Sequence, residues 1–455
     1  MIRQTSLVEM NTVLQGRLIG RDTSFNAVST DTRKLNPGEL YIALTGPNFD
    51  GNEFIASAAE KGACGAIVNC EIDEDFPQLQ VADTTTALGQ MGAWNRGQSK
   101  AMFLAITGSQ GKTSVKEMTA AILRTEHAVY ASRGNFNNAI GVPLSLLQIE
   151  AEHEFAVLEL GASGAGEIAY TVDLVRPDIS LINNAAEAHL EGFGSLSGVV
   201  AAKGEIIDGL GPEGVAVLNA DDPAFPVWRQ RAAPRKVLAF SLDENNVHAD
   251  IHATNIEMKA ELGSKFTLNT PKESIRIKLR LPGVHNVANA LAAASVALVA
   301  GADLKSIKKG LNTVLPVAGR MQMMSSPQGA RVIDDSYNAN PSAFMAAIDV
   351  LASCEGVRIL VAGDMAELGD ESDSLHRQLG TYANQKKIDL LWTVGEKSRL
   401  ASIEFGPHAQ HFNSQEELLI KLNTSLGAGV TVLVKGSRSA GMDNIVKQII
   451  SGESS

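Results

Sequence analysis

Residues 106–114 read Ile106-Thr107-Gly108-Ser109-Gln110-Gly111-Lys112-Thr113-Ser114. An apolar run beginning at Met102 precedes them, and a helix-like run extends from Ser114 to Arg124. Glycines in such a turn let backbone N–H groups approach phosphate oxygens, and the N-terminus of the following helix adds positive partial charge. A buried strand, a glycine-rich turn and a helix in this order therefore predict a nucleotide-binding domain built on a parallel sheet.

The loop is shorter than the general phosphate-loop pattern, which places four residues between its first glycine and the Gly-Lys pair. Here only two residues separate Gly108 from Gly111. The alternative is a strand-to-helix turn with a surface lysine. We favour phosphate binding because Lys112 and Thr113 stand at the helix start, where an ammonium group reaches phosphates and a hydroxyl reaches magnesium.

The length of 455 residues predicts about three domains, at roughly 100–200 residues per domain. Alternating runs between Ala249 and Leu281 indicate an antiparallel hairpin set, and strand-and-helix alternation restarts after Pro316. We predict an α/β protein with a small α/β domain at 1–83, a central domain with a mostly parallel sheet at 84–315, and a Rossmann-like α/β domain at 316–455. The predicted strands are 40–44, 66–69, 102–106, 155–160, 179–182, 332–335, 358–362, 390–394 and 430–435. The predicted helices are 52–61, 114–124, 286–299 and 304–313.

The composition excludes several classes of protein. A formal net charge of −12 argues against a surface that neutralises nucleic-acid phosphates. Cys64, Cys70 and Cys354 form no CxxC pair and leave an odd thiol, which favours a reducing compartment; we interpret all three as small buried hydrophobic residues. The sequence has neither a signal-peptide pattern nor an apolar run of about 18 residues. We expect a cytoplasmic monomer without a nucleic-acid partner or membrane insertion.

Further polar residues follow apolar strands of the predicted central sheet. Glu159 ends one such strand, where a carboxylate needs a cation or hydrogen-bond donors. The alternative for Glu159 is a salt bridge or a capping role. His189 follows another strand, and a histidine of this kind is more often a hydrogen-bonded structural residue than a ligand. From its sequence context alone, we interpret Lys203 as a lysine on the solvated face of a helix.

The second half of the chain carries three more candidates. Asn286 stands at the start of an Ala-rich helix, where the plain interpretation is a polar turn that caps the helix. Arg320 lies just beyond the second predicted linker. Asp334 and Asp335 end the first predicted strand of the last domain, and turn chemistry alone would explain them.

These pieces, in this order, resemble the Mur ligase family over essentially the whole chain, and the short phosphate loop has that family's form. The resemblance implies ATP binding by Thr107, Gly108, Ser109, Gln110, Gly111, Lys112, Thr113, Asn286, Arg320 and Asp335. It implies two magnesium ions, held by Thr113, Glu159, His189 and an N-carbamoylated Lys203. It implies catalytic roles for Lys112, Glu159, His189, Lys203 and Arg320. In this family Arg320 would reach the γ-phosphate and Asp335 the ribose.

Two motifs narrow the resemblance within the family. Residues 334–341 and 363–369 look like the signatures of the member that adds D-alanyl-D-alanine to a UDP-linked muramoyl tripeptide. The Asp-Asn-Pro-Arg of the member that adds a diamino acid does not occur. Residues 29–33, 37–41 and 46–51 resemble a UDP-binding domain that both members share. The implied substrate contacts are Asp31, Thr32, Arg33, Gly46, Asn48, Phe49, Asn137, Asn138, Asn338 and Ser439.

The mechanism that this resemblance implies passes through an acyl phosphate. Lys112, Arg320 and two magnesium ions would neutralise charge as a carboxylate attacks ATP. Because Lys112 and Arg320 belong to different predicted domains, the last domain must close on the central one. The alternatives are another ligase of the family, a phosphotransferase or nucleotide switch, and a nucleotide-dependent binding module without turnover.

Overall fold

The computed structural model describes residues 1–71, 76–187, 190–259 and 263–452. Three sheets, each flanked by helices, follow one another along the chain, at residues 17–80, 102–279 and 322–435. The predicted three-domain α/β class is confirmed. The exact domain boundaries stay a prediction, and the boundary at 83/84 falls where Asp83 caps a helix by accepting hydrogen bonds from the N–H groups of Thr85 and Thr86.

The first sheet has five strands and is mostly parallel. The elements of this part are β1 (Thr5–Ser6), α1 (Leu7–Leu14), β2 (Arg17–Ile19), β3 (Ser24–Phe25), β4 (Val28–Ser29), β5 (Leu40–Ile42), β6 (Thr45–Gly46), β7 (Phe49–Asp50), a 3₁₀ turn (Gly51–Phe54), α2 (Ile55–Glu60), β8 (Gly65–Val68), β9 (Gln78–Gln80) and α3 (Thr84–Gln98). The strand order is β2-β9-β8-β5-β4, with only β2 antiparallel to its neighbour. β1 pairs with β3, and β6 forms an exposed hairpin with β7.

The central sheet has nine strands, and its parallel core around β10 is buried on both faces. Its elements are β10 (Met102–Thr107), α4 (Lys112–Leu123), β11 (Val129–Ala131), α5 (Gly141–Leu147), β12 (Phe155–Glu159), α6 (Glu167–Val175), β13 (Ile179–Ile182), α7 (Leu190–Phe193), α8 (Leu196–Asp208), β14 (Val215–Asn219), α9 (Phe225–Ala232), β15 (Lys236–Ser241), β16 (Ile251–Lys259), β17 (Gly263–Asn269), β18 (Ser274–Leu279), α10 (Val284–Val299) and α11 (Leu304–Thr313). The order is β11-β12-β10-β13-β14-β15-β16-β17-β18, and only the last two pairings are antiparallel.

β10 shows why this sheet forms where the sequence predicts it. Leu104 and Ile106 point into the core that α4 and α10 cover, whereas Phe103 and Ala105 point into the core on the opposite face. A strand with apolar side chains on both faces must lie inside a sheet that helices cover on both sides. The carboxyl end of β10 then delivers the phosphate loop to the sheet edge.

The third sheet has six strands. Its elements are β19 (Gln322–Ser325), β20 (Arg331–Asp335), α12 (Pro341–Ala352), β21 (Val357–Ala362), a 3₁₀ turn (Gly369–Glu371), α13 (Ser372–Gln385), β22 (Leu390–Val394), α14 (Arg399–Phe405), β23 (Ala409–Phe412), α15 (Gln415–Asn423), β24 (Val430–Lys435), a 3₁₀ turn (Arg438–Ala440) and α16 (Asp443–Ser451). The order is β19-β20-β24-β21-β22-β23, parallel except for β19.

The predicted strands and helices are confirmed to within a few residues. Two corrections concern the last domain and the cysteines. The strand ending in Asp335 is the second strand there, because β19 precedes it. Cys354 is buried, but Cys64 is only partly buried and Cys70 is exposed, so the interpretation of all three as buried is wrong. No helix in the described ranges has the length and apolar character that crossing a bilayer requires.

Candidate active site

The phosphate loop has backbone conformations that favour glycine. Gly108 has φ 153° and Gly111 has φ 75°, both positive. A Cβ at Gly111 would also lie 2.3 Å from Asn289 Oδ1 and 2.5 Å from Asn183 Nδ2, so any other residue would displace the two asparagines in addition to straining the backbone. The Lys112 ammonium group returns over the loop and donates to the Gly108 carbonyl oxygen at 2.7 Å. The loop therefore holds its lysine over its own backbone, as expected for a phosphate-binding turn.

Two asparagines that the sequence analysis did not single out fix this loop. Asn183 Nδ2 donates to Gln110 O at 3.0 Å and to Asn289 Oδ1 at 2.9 Å. Asn184 Oδ1 accepts from Gln110 N at 2.8 Å. Both asparagines follow β13, so their position at the carboxyl end of a buried strand was the available signal.

Glu159 lies buried behind the loop with both carboxylate oxygens engaged. Oε2 accepts from the Thr113 hydroxyl at 2.8 Å, and Oε1 accepts from Asn137 Nδ2 at 2.8 Å. Both partners are neutral, so within the described residues the alternative of a salt bridge for Glu159 receives no support. Glu159 thus brings together two other predicted site residues at the sheet edge.

Lys203 is buried, whereas Lys112 is partly buried in the lining of the cleft. Burial lowers the pKa of Lys112; Glu159 opposes this shift and the positive charge of Arg320 adds to it. Burial, and after it the charge of Lys112, lowers the pKa of Lys203 to about 7. Lys203 is 2% exposed, so its interpretation as a solvated helix lysine is wrong. An amine with this pKa is substantially neutral near physiological pH.

Arg320 reaches the same cleft from the last domain. Its guanidinium carbon lies 4.4 Å from the centre of the Tyr337 ring. Gly319 N donates to Asp334 Oδ2 at 3.1 Å, and Met321 N donates to Asp335 Oδ1 at 3.1 Å. The backbone N–H groups of the two residues that flank Arg320 are therefore held by the two aspartates. Turn chemistry explains Asp334, which also accepts from Ser336 N, but not the whole motif.

Asp335 also pairs with a buried lysine. Lys435 Nζ donates to Asp335 Oδ2 at 2.6 Å and to Asn338 O at 2.9 Å. β20 and β24 are parallel neighbours with Asp335 opposite Lys435, so the loops after the two strands lie side by side. This pairing places Asn338 and Ser439 at the same edge of the third sheet.

Asn286 does not cap its helix. α10 begins at Val284, and its N-cap residue Gly283 makes no side-chain cap hydrogen bond. Asn286 Nδ2 instead donates to Pro282 O at 2.8 Å, while Asn286 Oδ1 accepts from Asn289 Nδ2 at 3.2 Å. Asn289 thereby connects Asn286 to Asn183 and the phosphate loop.

A direct contact joins the phosphate loop to the last domain. Gln110 Nε2 donates to Asn340 Oδ1 at 3.1 Å and also contacts Ser342 Oγ. Asn340 is the N-cap of α12 and accepts from Ala343 N. The central and last domains therefore meet at the loop itself.

Between them lies a cleft with a volume of ≈ 800 Å³. The predicted site residues that line it are Ser109, Gln110, Gly111, Lys112, Thr113, Asn137, Asn138, Glu159, Asn286, Arg320, Asp335, Asn338 and Ser439. Thr107 lies beneath the loop, where its hydroxyl donates to Leu160 O. His189 lies outside the described residues.

The predicted contacts for the nucleotide-sugar substrate lie in the first domain, away from the lining of this cleft. Asp31 forms an ion pair with Arg33 at 2.9 Å, which lowers the pKa of Asp31 to about 2. Gly46 and Phe49 face each other in the β6–β7 hairpin, and Phe49 is exposed. Among the described residues, no three His, Cys, Asp or Glu side chains form a group that could hold a metal.

Comparisons with known proteins match this architecture part by part. The model of the Mur ligase middle domain matches residues 106–297, that of the Mur ligase glutamate ligase domain matches 319–438, and that of the Mur ligase family catalytic domain matches 24–91. UDP-N-acetylmuramoyl-tripeptide–D-alanyl-D-alanine ligase of Escherichia coli is 46% identical over 98% of each chain. The chain belongs to the Mur ligase family.

Solved structures agree with the family. MurF from Acinetobacter baumannii superposes with a TM-score of 0.93 at 36% identity, over 99% of each chain. MurF ligase from Thermotoga maritima, solved in complex with ADP, gives a TM-score of 0.82 at 25% identity over 93% of this chain and 97% of that one. The prediction of an ATP-dependent Mur ligase is confirmed, and the phosphotransferase, the switch and the binding module lose their support.

Proposed function

We propose that the protein joins D-alanyl-D-alanine to UDP-N-acetylmuramoyl-tripeptide with cleavage of ATP to ADP and phosphate, for peptidoglycan synthesis. The observation that carries the proposal is the cleft in which Lys112 and Arg320, from two domains, lie close enough for the charge of one to lower the pKa of the other. Two converging cations are what a triphosphate requires. The ligase from Escherichia coli, which carries this activity in its name, aligns over 98% of the chain.

The reaction has two steps. An oxygen of the tripeptide's terminal carboxylate forms a bond to the γ-phosphorus, and the bond from that phosphorus to the β-γ bridging oxygen breaks, which releases ADP. The dipeptide amine then forms a bond to the acyl carbon, loses a proton, and phosphate leaves with the electrons of the broken C–O bond. Amide formation is thereby coupled to phosphate release.

The cations have separate tasks in the first step. Lys112, held over the phosphate loop, neutralises the phosphate oxygens of the nucleotide. Arg320, held by its neighbours' hydrogen bonds to Asp334 and Asp335, meets charge that develops on the γ-phosphate. Gly108 and Gly111 let the loop backbone approach the phosphates. Asn286 and Asp335 are proposed to contact the nucleoside end.

The residues around Glu159 fit magnesium, which neutralises phosphate oxygens when bound. Among the described residues the hydrogen-bond donors to the buried Glu159 carboxylate are neutral, Thr113 and Asn137, and the positive charge that acts on it is that of Lys112 in the phosphate loop, so a second cation fits beside it. Lys203 fits the predicted carbamoylation, because only a neutral amine attacks carbon dioxide and its pKa is about 7. We propose Thr113, Glu159, His189 and carbamoylated Lys203 as ligands of two ions.

In this proposal the acceptor extends from the first domain into the cleft, and the dipeptide enters the cleft from the last domain. Asp31, Thr32, Arg33, Gly46, Asn48 and Phe49 would bind the nucleotide-sugar end of the acceptor. Asn137 and Asn138 would hold its peptide near the phosphates, and Asn338 and Ser439 would contact the dipeptide. A cytoplasmic monomer, the state expected from the sequence, is part of the proposal.

Product analysis tests this function. The protein is incubated with ATP, magnesium, UDP-N-acetylmuramoyl-tripeptide and D-alanyl-D-alanine, and the product is weighed by mass spectrometry. We expect the pentapeptide nucleotide with one ADP and one phosphate per product. If the protein instead joined a diamino acid to a UDP-muramoyl dipeptide, it would be another ligase of the family and the proposal would be rejected. If it released phosphate without any amine, it would be a nucleotidase, which would also reject the proposal.

A further inference from the structure

We infer that Arg438 binds the terminal carboxylate of the D-alanyl-D-alanine substrate, an inference that rests on the proposed function. The dipeptide carries an ammonium group at the end that must react and a carboxylate at the end that must not. Taking a carboxylate out of water needs a cation or several donors. Guanidinium groups bind carboxylates with two parallel hydrogen bonds.

Four lysine and arginine side chains line the cleft within the described part of the chain, and three of them are committed. Lys112 donates to the phosphate loop, and Lys435 donates to Asp335 and to the Asn338 carbonyl. The charge of Arg320 lowers the pKa of Lys112, so the two cations lie near each other, and we have assigned Arg320 to the γ-phosphate. The remaining cation is Arg438, which neither the sequence motifs nor the resemblance assigned.

Asp443, the acidic residue nearest Arg438, would compete only weakly with a substrate carboxylate for the Arg438 guanidinium. Arg438 Nη1 lies 3.7 Å from Asp443 Oδ1, which is beyond hydrogen-bond distance. Asp443 has a closer cation in Lys447, at 2.8 Å. The Arg438 side chain is 66% exposed, so its five N–H donors remain accessible to a carboxylate that enters the cleft.

The loop that carries Arg438 is fixed. Ser437 N donates to Asp364 O at 2.8 Å, and Gln415 Nε2 donates to Ala440 O at 2.8 Å. A Cβ at Gly436 would lie 2.6 Å from Met442 Cγ, so the loop packs closely on α16 at its start. A preorganised loop fixes the backbone position from which the Arg438 side chain extends, which lowers the cost of binding.

Arg438 also lies close enough to Arg320 for one dipeptide to extend between them. Its guanidinium carbon is 6.0 Å from the centre of the Tyr337 ring, and that of Arg320 is 4.4 Å from the same centre. The two guanidinium carbons are thus no farther apart than these two distances taken together. An extended dipeptide spans at most about 7 Å. A dipeptide with its carboxylate on Arg438 is therefore long enough to extend most of the way to the Arg320 guanidinium, and we place its amine on that side.

The test compares the dipeptide with its C-terminal amide, which lacks the charge. Initial rates of phosphate release are measured at saturating ATP and UDP-tripeptide for the wild type, Arg438→Gln and Arg438→Lys. Arg377→Gln is the matched control, because Arg377 is an exposed, ion-paired arginine of the same domain and lies outside the cleft lining. Unfolding temperatures are recorded for every variant.

We expect Arg438→Gln to raise KM for the dipeptide about 10- to 100-fold, the loss typical of a charged hydrogen-bonded pair. KM for the amide and for ATP should not change, and Arg438→Lys should recover part of the loss. Arg377→Gln should match the wild type. An equal effect on dipeptide and amide, or no effect on either, would overturn the inference. A wild-type enzyme that does not use the dipeptide at all would instead reject the proposed function.

Discussion

The Arg320 guanidinium stacks over the Tyr337 ring, with 4.4 Å between the guanidinium carbon and the ring centre. Tyr337 N also donates to the Gly319 carbonyl oxygen at 3.1 Å, so main chain and side chain of Tyr337 both locate the arginine. The Asp334–Tyr337 motif thus has a structural role beyond its turn. It positions the guanidinium group that we propose contacts the γ-phosphate of the nucleotide.

The first prediction concerns this stacking. Tyr337→Leu removes the aromatic face and should lower kcat about 3- to 30-fold, the range for a cation–π contact that is partly desolvated. Tyr337→Phe keeps the face and should retain activity within about 2-fold. Steady-state rates at saturating substrates make the comparison. Equal losses in both variants would show that the hydroxyl group, rather than the ring, matters.

The second prediction concerns Glu159. Glu159→Gln keeps the size of the side chain but removes the charge, so the magnesium concentration at half-maximal rate should rise at least about 10-fold, with a large loss of kcat. A magnesium titration of the rate measures this. Glu167→Gln is the control, because Glu167 also lines the cleft but accepts from the backbone N–H of Ser163. An unchanged magnesium dependence in Glu159→Gln would contradict the proposed ligand role.

The third prediction concerns Lys203. Burial lowers the pKa of its amine to about 7, so between pH 7 and the ordinary lysine pKa the unfolded chain binds a proton that the folded chain does not. Folding stability should therefore rise with pH above 7, by up to about 1.4 kcal/mol per pH unit for this one group. Below pH 7 the contribution should flatten, because both states are then protonated.

Lys203→Met, which preserves much of the volume, should lose this pH dependence. Urea unfolding of both proteins in carbon-dioxide-free buffers from pH 6 to pH 9 gives the comparison. Identical pH slopes for the two proteins would contradict the lowered pKa. Adding bicarbonate should increase the activity of the wild type and leave Lys203→Met unaffected.

The fourth prediction concerns the contact between domains. Gln110→Ala removes the hydrogen bond to Asn340 and the contact with Ser342, so it should lower kcat/KM about 2- to 10-fold, as expected for neutral hydrogen bonds. Ser342→Ala removes one partner and should cost less. Small-angle scattering with a nonhydrolysable nucleotide should show a more open average shape for Gln110→Ala. Unchanged kinetics and shape would show that this contact does not stabilise the closed arrangement.

Local sequence pattern was sufficient to predict the fold class, some of the strands and helices, and part of the site. β10, β13, β22 and β24 could be predicted because each is an apolar run between turn-forming residues. β19 was missed because its residues are only partly buried and show no alternation. The burial of Lys203 could not be predicted, since helix position alone does not reveal which face packs.

Contacts between distant parts of the chain were beyond sequence reasoning. Gln110 and Asn340 are 230 residues apart, and no spacing rule relates them. The role of Asn183 in fixing the phosphate loop depends on Asn289, which lies in α10, 106 residues later in the chain. The resemblance supplied candidate residues, while the hydrogen bonds that position them come from the structure.

A crystal structure with a bound nonhydrolysable ATP analogue and magnesium decides whether one triphosphate joins the two domains. We expect the β- and γ-phosphates on the loop of residues 108–113, with Lys112 Nζ and the Arg320 guanidinium both within hydrogen-bond distance of phosphate oxygens. A nucleotide bound elsewhere, or a γ-phosphate that contacts Lys112 while Arg320 remains on Tyr337 out of reach, would contradict the proposed mechanism.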